Sequence, residues 1–271
     1  MTYVGIAHGL FSFSILAMTI AFVVRWVRSF SEVWRYRYFG LAVIGFSLLT
    51  EGAMLLLIPN VFEMTSVTQV VIIDAINFFK LFCAAIVGLY FVEKLNQTPV
   101  FSGELGDFTR RPILELLIRD QRGWLLAVLA MVLGMIVFSV LLFVLADAII
   151  SERLLEKLNL DSEGRRVTFV VVLALAFSEE IMFRLGLQNW LAYVWGNTNK
   201  SYWWAIIVTT TFWTLGHAGV MQPEWVKFVQ IFVFGLLLGL LNRRYGILAC
   251  IAVHGIFNVA MVPIGKLLLF P

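Results

Sequence analysis

The sequence has few charged side chains, far fewer relative to its hydrophobic residues than a soluble domain has. Asp, Glu, Lys and Arg make up 14% of its 271 residues, whereas 61% of the residues are hydrophobic. The mean hydropathy is +0.92. Such values exclude an ordinary soluble protein and are typical of a helical protein that crosses a membrane several times. A net charge of +3 is too small to indicate a nucleic-acid partner, so we expect none.

Cysteine and histidine are also scarce. Cys83 and Cys250 both lie in apolar runs, so we expect two buried thiols and no disulfide framework. Histidine occurs only at His8, His217 and His254, which makes each position easier to weigh. An internal repeat is absent from the sequence, which argues mildly against the transporters built from inverted repeats.

Long apolar runs define the predicted fold. They predict an all-α, polytopic membrane protein with about eight transmembrane helices, whose C-terminal helices form a bundle. The predicted spans are 4–24, 38–58, 67–92, 123–146, 167–192, 202–221, 226–241 and 246–269. Most Lys and Arg residues of the connecting segments fall on one side, which predicts that both termini lie outside.

One polar stretch, from Glu93 to Arg122, divides the chain. It contains Pro99, Pro112 and two glycines, and it is the longest polar stretch of the sequence. We therefore predict two parts. Residues 1–120 form an N-terminal three-helix membrane region with a cytosolic linker, and residues 121–271 form a C-terminal helical core.

Two carboxylates and a guanidinium interrupt the apolar run from Val167 to Trp195. Each such charge inside a bilayer costs about 3 kcal/mol, so these groups usually face a protein interior and usually serve a function. On a helix, Glu180 and Arg184 share one face, while Glu179 points about 100° away. One carboxylate can therefore be paired while the other is available for chemistry. A structural ion-pair cluster is the alternative.

Further polar residues lie in the sixth and eighth predicted spans. His217 follows Trp213 by four residues in the sixth, and Asn258 follows His254 by four in the eighth. A single histidine in an apolar helix is more often a satisfied core residue than a catalyst. Here two histidines, an asparagine and two glutamates fall within neighbouring spans, which favours a site. The helical rise places Glu179 and His254 at similar depths, roughly 12 Å from the inner side.

These motifs, in this order, resemble those of a known family. They are Glu179-Glu180-x-x-x-Arg184, Trp213-x-x-x-His217 and His254-x-x-x-Asn258, with Gly235-x-x-x-Gly239 and Arg243-Arg244-Tyr245-Gly246 before the last. The resemblance is to the CPBP family, which comprises the CAAX prenyl endopeptidases of the Ras-converting type and the bacterial Abi and bacteriocin-processing proteins. It covers about residues 123–271 and not the first 120. The family's second motif usually opens with Phe, whereas this sequence has Trp213.

The resemblance implies a glutamate-dependent intramembrane endopeptidase of a bacterial or archaeal cell membrane. In that family pattern, Glu179 is the general base that activates water, and His217 helps to position it. Glu180 and Arg184 orient and tune this carboxylate. The implied substrate is a membrane-associated or prenylated protein or peptide, reached within the lipid bilayer.

The same resemblance places His254 and Asn258 at the oxyanion, where such donors stabilise developing negative charge. It implies no cofactor and no metal. A zinc site made of Glu179, His217 and His254, with an open position for water, remains an alternative on the residues alone. The sequence lacks the His-Glu-x-x-His helix of common zinc peptidases.

Two other functions are consistent with parts of the sequence. Asp74, Asn77 and Lys80 recur at three-residue spacing in the third span, and Glu51 lies in the second. These residues could form the pathway of an ion-coupled transporter, although such a stripe is more often a hydrogen-bonded seam between helices. A non-catalytic membrane scaffold or regulator that retains the site is the other alternative.

Overall fold

The computed structural model describes residues 3–57, 67–96, 117, 123–150 and 164–269. These residues form long helices and one two-stranded sheet. The helices are α1 (Tyr3–Arg28), α2 (Phe30–Trp34), α3 (Arg37–Leu57), α4 (Val67–Asn96), α5 (Trp124–Leu145), α6 (Gly164–Glu179), a π-helix (Glu180–Gln188), α7 (Asn189–Val194), α8 (Asn199–Leu215), α9 (Glu224–Tyr245) and α10 (Ile247–Leu269). The short strands β1 (Ile149–Ile150) and β2 (Met221–Gln222) pair antiparallel, with Ile149 opposite Gln222.

The fold confirms the prediction of an all-α, multi-pass integral membrane protein. Five described helices are long and apolar enough to cross a membrane: Val4–Arg28, Asp74–Leu95, Trp124–Leu145, Glu224–Tyr245 and Ile247–Gly265. A shorter apolar helix covers Arg37–Thr50. On α5, large side chains such as Leu126, Leu133 and Leu145 are exposed, as expected where lipid replaces water around a helix.

Several predicted boundaries are wrong. The third span continues to Asn96, so the beginning of the stretch predicted as linker is helical. The sixth span was expected to run from 202 to 221, but α8 begins at Asn199 and ends at Leu215. His217 therefore lies in the turn after α8 and not inside a helix. Most of the predicted linker, and the predicted 1–120 boundary, lie outside the described residues.

The charged segment begins where α6 changes into the π-helix. A π-helix is wider than an α-helix and leaves some backbone groups without their usual partners. Buried amide side chains supply hydrogen bonds here: Asn189 Nδ2 donates to the Arg184 and Leu185 carbonyls, at 3.1 and 2.9 Å. Asn242 Nδ2, on α9, also donates to the Arg184 carbonyl at 3.1 Å. The tertiary structure thereby stabilises the irregular turn that carries the charges.

Two glycines let α9 approach this segment closely. A Cβ atom at Gly235 would lie 2.6 Å from Thr210 Cγ2 and 3.1 Å from an Arg184 terminal nitrogen. A Cβ atom at Gly239 would lie 2.6 Å from Ile206 Cγ2. The two distances of 2.6 Å are too short for a real side chain. The Gly-x-x-x-Gly motif therefore places α9 against α8 and the π-helix at a spacing that larger residues would prevent.

The N-terminal helices pack directly on the π-helix and on the turn after α8. Leu185 of the π-helix lies against Gly88 of α4, where an added Cβ would be 2.7 Å from Leu185 Cγ. His8 Nε2 on α1 donates to the Ala218 carbonyl at 3.0 Å. The N-terminal helices thus help to enclose the C-terminal charged cluster.

Cys83 and Cys250 are buried thiols, as the apolar runs predict.

Candidate active site

Glu179 lies at the junction of α6 and the π-helix and faces a cavity. One of its carboxylate oxygens, Oε2, accepts a hydrogen bond of 2.7 Å from the indole Nε1 of Trp213. Within the described residues, the other oxygen accepts no hydrogen bond. The side chain is 27% exposed, whereas that of Glu180 is 1% exposed. Of two adjacent carboxylates, only the first can therefore be reached from the cavity.

Glu180 is held between His254 and Arg184. Its Oε1 accepts a hydrogen bond of 2.8 Å from Nδ1 of His254, and its Oε2 lies 3.7 Å from Nε of Arg184. The predicted pairing of Glu180 with Arg184 is thus present as a close ion pair without a hydrogen bond. The bond to His254 was not predicted. It orients the imidazole so that Nε2 points towards Glu179, at 3.9 Å from Oε2.

Trp213 is in contact with most of the cluster. Besides its hydrogen bond to Glu179, its ring lies 5.1 Å from the guanidinium carbon of Arg184. The rings of His217 and His254 meet it edge-on, with centroids at 5.2 and 5.4 Å. The three nitrogens of Arg184 have no hydrogen-bond partner among the described residues. The indole face and the Glu180 carboxylate are therefore its main stabilising neighbours.

The two remaining predicted residues lie at the edge of this cluster. His217 Nδ1 donates to the Trp213 carbonyl at 3.0 Å, which leaves Nε2 available as an acceptor. Asn258 Nδ2 donates to the Val172 carbonyl on α6 at 3.4 Å. The structure therefore brings Glu179, Glu180, Arg184 and His254 together. His217 contacts this cluster through Trp213, whereas the Asn258 amide is bonded to the backbone of α6.

A cavity of about 350 Å³ opens beside Glu179. The N-terminal helices α1, α3 and α4 form part of its walls. The rest comes from α6 and the beginning of the π-helix. Polar wall residues are Ser47, Thr50, Asn77, Lys80, Ser178 and Glu179. Its size is at the lower end of ligand pockets, which span roughly 300–1,000 Å³.

Sequence reasoning missed several polar residues around the site. Lys227 lies close enough to Glu179 and His217 for their charges to interact. Its ammonium donates to Gln230 Oε1 at 2.9 Å, and Gln230 Nε2 donates to Ser139 Oγ at 2.9 Å. These residues could have been identified from the sequence, because a lysine, a glutamine and a serine inside apolar helices are unusual.

The geometry of the histidines bears on the zinc alternative. Each donates Nδ1 to a protein acceptor, Glu180 for His254 and the Trp213 carbonyl for His217, an arrangement that zinc-ligating histidines also have and that does not argue against a metal. In the part of the chain that the structure describes, no group of three or more His, Cys, Asp and Glu residues is arranged to hold a metal ion. A dication would also lie near the positive charge of Arg184, which is unfavourable.

The fold and this cluster define a multi-pass membrane protein with buried carboxylate, imidazole and guanidinium groups around a cavity. Comparison with known proteins points in the same direction as the motifs. Residues 164–260 match the family described as type II CAAX prenyl endopeptidase Rce1-like. This match covers part of the chain and confirms the resemblance drawn from the motifs.

A curated relative matches a similar length of chain. It is the sporulation-killing factor biosynthesis protein SkfC of Bacillus subtilis (strain 168), 28% identical over 88 residues. The match covers 32% of this chain and 17% of SkfC, so the chain corresponds to only a small part of that protein. No solved structure matches the chain.

Proposed function

We propose that this protein is an intramembrane endopeptidase that hydrolyses a peptide bond by means of water activated by Glu179. The observation that carries the proposal is the difference between two adjacent glutamates. Glu180 is buried and bonded to His254, whereas Glu179 is open to a cavity large enough for a peptide segment. The match of residues 164–260 to a family of CAAX endopeptidases supports the same reaction.

The proposed reaction follows from the positions of these groups. The Glu179 carboxylate takes a proton from a water molecule, and the water oxygen attacks the carbonyl carbon of the peptide bond. The electron pair of the carbonyl moves to its oxygen, which receives a hydrogen bond from His254 Nε2–H. Glu179 then passes the proton to the leaving nitrogen as the carbon–nitrogen bond breaks.

The position of His254 supports this role. The Glu180 carboxylate orients that imidazole through Nδ1, so Nε2 lies 3.9 Å from Glu179 Oε2, beside the proposed general base. His217 is proposed to hold the water through its Nε2. Asn258 would join the oxyanion contact only after leaving the Val172 carbonyl.

The experiment that tests the function compares protein termini in cells. Membrane proteins from cells with the wild-type protein and from cells with Glu179→Ala are compared for their N- and C-terminal peptides. We expect a defined set of termini to disappear in the Glu179→Ala cells, together with accumulation of the uncleaved precursors. Identical sets of termini at equal protein levels would contradict an endopeptidase and favour a scaffold. The same data identify the substrate, which is a membrane protein or peptide, prenylated or not.

Trp213 is expected to hold Glu179 in the reactive orientation. Phe, the usual residue of the family at this position, has a similar shape but cannot donate a hydrogen bond to the carboxylate. Because a hydrogen bond to a charged group contributes about 1.5–3 kcal/mol, Trp213→Phe should lower kcat about tenfold or more. KM should change little, since the cavity walls do not include Trp213.

The control for Trp213→Phe is Trp203→Phe. Trp203 is 44% exposed on the same helix, so this variant should retain wild-type kcat. Turnover of the identified peptide in detergent gives kcat and KM for both variants. A wild-type kcat in Trp213→Phe would show that the indole hydrogen bond has no part in catalysis.

Metal analysis decides between the water mechanism at Glu179 and a zinc peptidase. We expect the purified protein to contain no stoichiometric zinc, and dialysis against a strong chelator to leave its activity intact. The reasons are that no group of three or more His, Cys, Asp and Glu residues is arranged to hold a metal ion in the described part of the chain, and that Arg184 brings positive charge close by. About one zinc per chain, lost together with activity on chelation and restored by zinc, would overturn the glutamate mechanism.

A further inference from the structure

A second cavity adjoins the one beside Glu179. It has a volume of about 560 Å³ and lies between α1 and α4, with Leu16, Ile76 and Phe79 in its walls. The two cavities share Phe11, Ile15 and Lys80. They therefore form one groove, which runs between α1 and α4 and ends at Glu179. We call this space the α1–α4 groove.

Lys80 lies where the two cavities join. Most of the groove surface is apolar, and an ammonium group in such surroundings is costly unless an anion accompanies it. Among the described residues the ion pairs are Arg35–Glu93, Lys94–Glu32, Arg184–Glu180 and those of His254 with Glu179 and Glu180. Lys80 takes part in none of them. Glu179 lines the same cavity but does not form an ion pair with Lys80.

Asn77 precedes Lys80 by three residues on α4 and lines the same cavity. Residues three apart share a helix face, and the Asn77 amide has no hydrogen-bond partner within the described residues. The Ser47 and Thr50 hydroxyls opposite donate to backbone carbonyls of their own helix. On α4, the wall donors without a partner among the described residues are therefore the ammonium of Lys80 and the amide of Asn77. Their natural ligand is an anion with several acceptor oxygens.

We propose that the α1–α4 groove binds the substrate and that Lys80, with Asn77, binds a carboxylate of the substrate peptide. This inference rests on the proposed peptidase function, because it places the peptide in the cavity that Glu179 lines. It also gives the N-terminal helices a role: they form the wall that selects the substrate. A peptide with a carboxylate near its cleaved bond would be held at Lys80 while that bond lies at Glu179.

Binding is measured separately from cleavage. Every protein in this assay carries Glu179→Gln, so that no probe is cleaved. The reference protein has no other change, and the variants differ from it at Lys80 or Lys200. All are reconstituted in nanodiscs of zwitterionic lipid. Three fluorescein-labelled farnesylated tetrapeptides serve as probes and differ only at the C-terminus. One has a free α-carboxylate, one a carboxamide, and one a carboxamide with an aspartate as last residue. Fluorescence anisotropy gives Kd for each.

We expect the carboxamide to bind about tenfold more weakly than the free carboxylate, as loss of a charge-assisted hydrogen bond predicts. Lys80→Met should reduce that ratio to about one, and Lys80→Arg should restore it. Lys200→Met, at an exposed position, is the matched control and should leave the ratio unchanged. The aspartate probe shows whether a side-chain carboxylate substitutes for the α-carboxylate.

Equal binding of all three probes by the unmodified Lys80 protein would overturn the proposal. So would a carboxylate preference that persists in Lys80→Met. If anionic lipid in the nanodisc raises thermal stability only when Lys80 is present, and the probes do not compete, the anion is a lipid headgroup and the proposal is also wrong. Because no step requires turnover, a carboxylate preference without any cleavage by the Glu179-containing protein would contradict the peptidase function alone.

Discussion

Glu179→Gln is expected to abolish peptide cleavage while leaving the protein folded. The amide keeps the size of the carboxylate and can still accept the hydrogen bond from Trp213, but it cannot take a proton from water. Loss of a general base typically lowers the rate by 10²- to 10⁴-fold, so kcat should fall at least about a hundredfold. Because Glu179 is partly exposed to the cavity and makes no close ion pair with Arg184, its removal should have little effect on packing.

The measurement is turnover of the peptide that the comparison of termini identifies, together with gel filtration in detergent. A single symmetrical peak for Glu179→Gln would show that the fold is retained. Glu32→Gln is the matched control. Glu32 is 49% exposed, pairs with Lys94 at 3.0 Å and is not one of the residues of the candidate site. It should keep wild-type kcat. Near-normal turnover by Glu179→Gln would show that Glu179 is not the general base.

Arg184→Ala is expected to lower stability as well as activity. The substitution leaves the Glu180 carboxylate buried without its cation, which costs about 3–5 kcal/mol. It also removes the group stacked on Trp213, which positions Glu179. For a chain of this size such a loss corresponds to a fall in Tm of about 10 °C. The hydrogen bond from His254 to Glu180 should limit the loss.

Thermal unfolding in detergent measures the stability effect. The control variant is Glu32→Ala, which breaks the pair with Lys94 at 3.0 Å in which the Glu32 side chain is 49% exposed. Exposed pairs contribute about 1 kcal/mol or less, so this variant should unfold close to the wild-type temperature. If Arg184→Ala proves as stable as the wild type, Glu180 and Arg184 do not stabilise each other as a buried pair.

The N-terminal helices illustrate a limit of sequence reasoning. Asn77 and Lys80 could be read as an ion pathway or as a seam between helices, because a polar stripe does not indicate what it faces. In the structure both residues line the cavity beside Glu179, which is formed jointly by α1, α3, α4 and α6. Contacts between helices far apart in sequence determine this assignment, and no local pattern contains them.

The irregular turn at Glu180–Gln188 is a second example. The sequence predicts an α-helix here, and that prediction still places Glu180 beside Arg184, because four residues nearly complete a turn in either helix type. The bond from His254 to Glu180 could not be derived, since it depends on how α10 packs against the π-helix. The end of α8 before His217 was missed for a related reason: apolar residues continue beyond the helix, and an apolar run does not show where helical hydrogen bonding stops.

The sequence by itself determined the class of protein, its helical and membrane-spanning character, and the residues that could carry chemistry. Bilayer thickness sets the length of apolar runs, and the cost of charge in lipid makes Glu179, Glu180 and Arg184 conspicuous. Only the tertiary structure decided which glutamate is open to the cavity, that Trp213 donates to it, and that Lys80 shares its cavity. These properties depend on packing between distant helices, where glycines such as Gly235 fix the spacing to fractions of an ångström.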